Sequence, residues 1–155
     1  MLLALLKAVH VLAVVVWVGG MAFAHFFLRP SLAVLEPPQR VRLMHAVLGR
    51  FFAAVLWAAG LILASGLWII GRVARQAAQS GGSFAMPLDW SVMSVLGLVM
   101  IAIFGHIRFG LYRRLDRAVQ AGDIPAGGAV LAQIRRWVGL NLALGLALIA
   151  GVLAY

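Results

Sequence analysis

The chain has no cysteine among its 155 residues, which removes disulfides, iron–sulfur clusters, thiolate zinc sites and c-type heme attachment together. Charge is nearly as scarce. Only 11% of residues are charged and just four are acidic. Those four, Glu36, Asp89, Asp116 and Asp123, stand at the edges of the apolar runs, so a buried acid–base pair or a carboxylate proton relay has no support. No long internal repeat and no stretch polar enough for a separate soluble domain is present. What remains is 65% hydrophobic with a mean hydropathy of +1.05, the composition of an integral membrane protein whose residues 1–155 form one compact unit.

Four apolar runs, at about 2–28, 51–70, 90–109 and 137–154, are each long enough to cross the ~30 Å hydrocarbon layer at 1.5 Å per residue. Trp90 and Trp137 open the third and fourth runs and Trp68 closes the second, as interfacial aromatics do. The expected fold is all-α, an antiparallel four-helix bundle in the lipid bilayer. The net charge of +9 then follows from topology, and a nucleic-acid partner is not expected. Ten of the thirteen basic residues, Arg29, Arg40, Arg42, Arg50, Arg108, Arg113, Arg114, Arg117, Arg135 and Arg136, lie around the first and third connections. The positive-inside rule puts these connections in the cytoplasm and both termini outside. Residues 39–50 read as a helical lead-in after Glu36-Pro37-Pro38, 111–120 as a continuation of the third span, and 76–83, with Gly81-Gly82, as a flexible outer loop.

Four histidines are nearly the only polar chemistry at membrane depth, and an ionisable group there persists mainly where it has a partner or a task. At 100° per residue His10, Trp17, Met21 and His25 form one stripe on the first span. On the third, Met86, Met93 and Met100 repeat every seven residues and could serve Cu(I), while His106 shares the other side with Val95, Val99 and Ala102. Burying an unpartnered imidazole costs more than exposing a thioether to lipid, so the His106 side is expected to face inward and the methionines outward. Gly139, Ala143, Ala147 and Gly151 give the fourth span a small-residue ridge suited to helix packing, within the chain or in a homo-oligomer.

Depth limits which histidines can cooperate. His10 lies toward the outer face, whereas His25, His45 and His106 fall near the cytoplasmic one. The arrangement expected on these grounds is a heme b between His106 and His25, with His45 as the other candidate partner, Arg113 and Arg42 on the propionates, and His10 at a second metal site. Electron transfer to or from quinone, a copper ion or another redox partner is the function implied. A copper-binding or copper-transporting protein without heme is the alternative.

Lys7-Ala8-Val9-His10, then Trp17-Val18-Gly19-Gly20 and Arg29-Pro30, resemble the opening of the CopD family of bacterial copper-resistance membrane proteins. The same opening, with Gly105-His106 and Arg113-Arg114, is similar to the HemJ-type protoporphyrinogen oxidases, also four-helix proteins. Either resemblance implies a bacterial inner-membrane protein, its termini then periplasmic, with functional imidazoles at His10 and His106. The HemJ pattern carries a lysine near the start of its third span, where this chain has Asp89-Trp90-Ser91-Val92-Met93, and the CopD resemblance is the stronger.

Overall fold

The structure, a computed structural model, describes residues 1–154 as four long helices: α1 (Leu2–Val34), α2 (Pro37–Gln79), α3 (Leu88–Gln120) and α4 (Ile124–Ala154). All four are long and apolar enough to span a membrane, and no strand occurs among the described residues. Helix α1 runs antiparallel to α2 and to α4. On α1 and α2, His10 meets Ser65 while Gly20 meets Phe51. On α1 and α4, Val18 meets Gly145 while His25 meets Gly139. Both termini and the α2–α3 loop therefore share one end of the bundle, and the other two connections form a basic end.

Local sequence explains the breaks. α1 closes in a 3₁₀ turn, Leu32–Val34, and Leu35 is extended. Pro37 and Pro38 then open α2, where a missing N–H costs nothing. Gly122 turns the chain between α3 and α4 at φ 69°. Asp123 Oδ1 accepts from the Ala126 N–H at 3.0 Å and so caps α4. The lead-in at 39–50 and the continuation at 111–120 are parts of unbroken rods, and α2, with 43 residues, is about 64 Å long. Helix α2 extends to Gln79, so only the latter part of the expected loop at 76–83 is unwound.

Two of the rods contain a π segment: Ala24–Leu28 in α1 and His106–Leu111 in α3. Each holds a histidine, and such wide turns recur at functional sites.

The core runs along the axis and is built from bulky residues at helical spacing. α1 contributes Ala13, Trp17, Val18 and Met21, and α2 contributes Val41, Leu48, Phe52 and Val55. α3 contributes Met100, Phe104, Ile107, Leu111 and Leu115, and α4 contributes Ile134, Val138 and Leu142. Leu12, Val15, Trp57, Leu67, Val95 and Leu98 point outward, as a lipid-facing surface requires.

Two expectations about faces are overturned. On α3 it is Met100 that is buried, at 5% exposure, while His106, Val95, Val99 and Ala102 are exposed. The buried row Met100, Phe104, Ile107, Leu111 and Leu115 offers far more contact area than the opposite side. His106 lies about three residues from the end of its apolar run, where outward exposure means the headgroup layer rather than hydrocarbon, and the burial argument loses its force. The ridge on α4 is not one packing face either. A spacing of four advances 40° per step, so Gly139 faces α1, Ala143 is exposed, and Ala147 and Gly151 border a groove against α3. The tight contact is Gly145, where an added Cβ would lie 3.0 Å from Val18 and 3.1 Å from the Met100 methyl.

Candidate functional site

The stripe on α1 faces its neighbours: Trp17 and Met21 are buried, and His10 and His25 are half-buried. His10 packs on α2, with Nδ1 2.9 Å from Ser65 Oγ. Ser65 directs its own proton at the carbonyls of its preceding turn, Leu61 and Ile62. The hydroxyl must therefore accept from His10, which fixes the Nδ1–H tautomer and leaves Nε2 with a free lone pair. That is the form in which an imidazole binds a metal.

Further along the axis lies the most buried polar group. Asn141 is 1% exposed. Its Nδ2 donates to the Met100 carbonyl at 3.3 Å, and its Oδ1 has no partner. Beside it is Met100, whose methyl sits at Gly145 with Val18, and Met21 is buried one turn beyond Val18 on the same face of α1. An amide oxygen without a donor and two buried thioethers thus occupy the middle of the bundle.

At the basic end the three remaining histidines go to three different places. His25 lines a cavity of about 420 Å³ between α1, α2 and α4, together with Arg29, Met44, Val41, Leu131 and Arg135. His45 lies between α2 and α3, where its Nε2 donates to Asp116 Oδ1 at 2.8 Å. Its ring stacks on Tyr112 at 5.3 Å and 5°, and the Tyr112 hydroxyl donates to its carbonyl at 3.2 Å. Gln120 takes the other Asp116 oxygen at 2.9 Å, and Arg108 stands 5.1 Å over the Tyr112 ring. His106 is on the outside of α3, edge-on to Trp137 at 5.1 Å.

This geometry does not suit a heme between His106 and His25. Their neighbours on α4, Trp137 and Gly139, are two residues apart and so about 200° around that helix. With α4 between them, the two imidazoles cannot take opposite faces of one iron. His45 has committed Nε2 to Asp116, which excludes that nitrogen as a ligand. Arg113 and Arg42 are exposed and do not line the cavity. Its arginines are Arg29, Arg40 and Arg135, which the sequence reading did not single out because neither depth nor spacing distinguishes them from the other seven at that end. No group of three or more His, Asp or Glu side chains that could hold a metal ion occurs among the described residues.

Asn141 was also missed. A single asparagine in an apolar run is a detectable signal, since a polar residue at that depth needs a hydrogen-bond partner. No curated protein and no solved structure matches the chain. A family model does match: CopD, copper resistance protein D, over residues 45–154. That match takes in α3, α4 and nearly all of α2, well over half the chain, and with the four apolar helices it makes this protein a member of the CopD family of membrane proteins.

Proposed function

We infer that the chain binds Cu(I) as its cargo at the middle of the bundle, through the Met21 and Met100 thioethers and Asn141 Oδ1, with His10 toward the termini and His25 toward the basic end. The observation that carries this reading is the unpartnered Asn141 oxygen. A buried acceptor left unsatisfied costs about 1–3 kcal/mol, and a small cation among soft donors would satisfy it. Thioether and imidazole ligands select Cu(I) over hard dications. The absence of carboxylates from the apolar runs works in the same direction. The family's link to copper resistance supports this reading of the donors.

Anaerobic titration of the purified chain with Cu(I) against a competing chelator tests it. One equivalent should bind, and Met21→Leu and Met100→Leu, which conserve volume, should each weaken binding by about 100-fold, at least the loss caused by disturbing a metal's outer shell. His45→Ala should leave the affinity unchanged. A preparation that binds no Cu(I), or one that carries a low-spin heme spectrum lost in His25→Ala, would overturn the reading in favour of heme and electron transfer.

The same reading sets the protein in a bacterial inner membrane with its basic end in the cytoplasm, following the ten-to-three division of basic residues. A reporter active only in the periplasm should give signal when fused after Tyr155. Signal from a cytoplasmic reporter alone would reverse the orientation.

A further inference from the structure

The cavity at the basic end is electrically one-sided. Arg29 and Arg135 stand near enough for their charges to repel each other, and no carboxylate lines the space with them. The first turns of α2, at Pro37, and of α4, at Ile124, also border it. Each brings the positive end of a helix dipole, equivalent to about half an elementary charge. The end of α1 would bring the opposite sign, but Arg40 cancels it by donating to the carbonyls of Leu32 at 3.1 Å and Leu35 at 2.9 Å. Asp123 already caps the start of α4, so two guanidinium groups and the uncapped start of α2 are left around one space with no carboxylate lining it. The remaining walls, Leu32, Val41, Leu48, Leu131 and Val138, are apolar.

We propose that this cavity is a binding site for an acidic phospholipid, the phosphate held between Arg29 and Arg135 and the start of an acyl chain lying along the apolar wall. Guanidinium groups suit phosphate because they offer paired, parallel donors, and the dipole of α2 adds to their field. The basic end of a membrane protein is also where anionic headgroups meet positively charged pockets between helices. The volume lies in the range of small-molecule sites, enough for a headgroup and part of a chain. The site lies apart from Met21, Met100 and Asn141 in the bundle centre and shares only His25 with the proposed copper path.

Native mass spectrometry of the full chain in detergent, after incubation with phosphatidylglycerol or with phosphatidylcholine of the same acyl chains, tests the proposal. The acidic lipid should be retained at least tenfold better. Arg29→Gln combined with Arg135→Gln should abolish the preference, whereas Arg113→Gln combined with Arg114→Gln, at exposed positions of the same end, should keep it. Gly128 lines the cavity, and a Cβ there meets nothing within 4 Å. Gly128→Leu should therefore occupy the space without disturbing the helices and displace the lipid with every charge intact. Equal retention of both lipids, equal loss in the two arginine pairs, or wild-type retention in Gly128→Leu would each overturn the site. Displacement of the lipid by millimolar inorganic phosphate, regardless of acyl length, would make it a free-anion site and refute the lipid assignment.

Discussion

Phe52→Ala should destabilise the bundle by about 3 kcal/mol, near the lower end of the range for removing a buried aromatic ring. Phe52 is 1% exposed and joins α2 to α3: its ring meets Phe104 edge-on at 5.8 Å and Tyr112 at 5.6 Å, with Phe51 at 6.0 Å. In a membrane the gain from removing apolar surface from water is small, because lipid is as apolar as leucine. The void remains, with the lost dispersion contacts and two edge-to-face pairs worth about 0.5–1.5 kcal/mol each. The measurement is reversible unfolding in mixed micelles. Phe52→Leu should recover more than half the loss. If alanine costs less than about 1 kcal/mol, α2 and α3 are held together by something other than this cluster.

Asn141→Leu should do the reverse, making the metal-free protein more stable by about 1–2 kcal/mol while removing most of its affinity for Cu(I). The stability gain follows from relieving a buried carbonyl oxygen that has no donor. Little is lost in exchange, since the Nδ2 bond to Met100 is 3.3 Å long and is made to a carbonyl already in a helix. Leucine branches at Cγ as asparagine does, and there it faces the apolar neighbours Met100 and Gly145. The loss of affinity follows if Oδ1 is a donor to the ion. Unfolding and Cu(I) titration on the same preparation check both halves. A variant that is less stable and binds copper normally would show that Asn141 serves the packing alone.

The helices were legible because membrane spans are written in one dimension: length, apolar composition, flanking arginines and prolines. The inward face of α1 was legible too, since Trp17 and Met21 are large and the stripe is regular. The face of α3 was misread through a rule applied at the wrong depth. Cost of burial was weighed for His106 as though hydrocarbon were its alternative, when Trp137 and the headgroup layer were available. The separation of His25 from His106 was hidden for a different reason. Equal depth was established for His25 and His106, but depth says nothing about azimuth, and only the packed bundle shows α4 between them. The arginines of the cavity could not be chosen from ten candidates, because which of them converge depends on how α1 and α4 cross. Neither π segment has a composition that distinguishes it from ordinary helix.

The π segment of α3 acts as a phase adjuster between two environments. A π turn accommodates one residue more than an α turn, so it offsets everything beyond it by about 100° relative to an uninterrupted helix. Before it, α3 aims Met100 and Phe104 at the apolar interior. After it, the rod leaves hydrocarbon and must aim Leu115 inward while delivering Asp116 to His45. Wound entirely as α-helix, the same residues would turn Asp116 by about 100° relative to the apolar half, away from its imidazole. His106 begins that wide turn. Its position is thus tied to the angular relation between the membrane part of the helix and its basic extension, and any change at His106 bears on both.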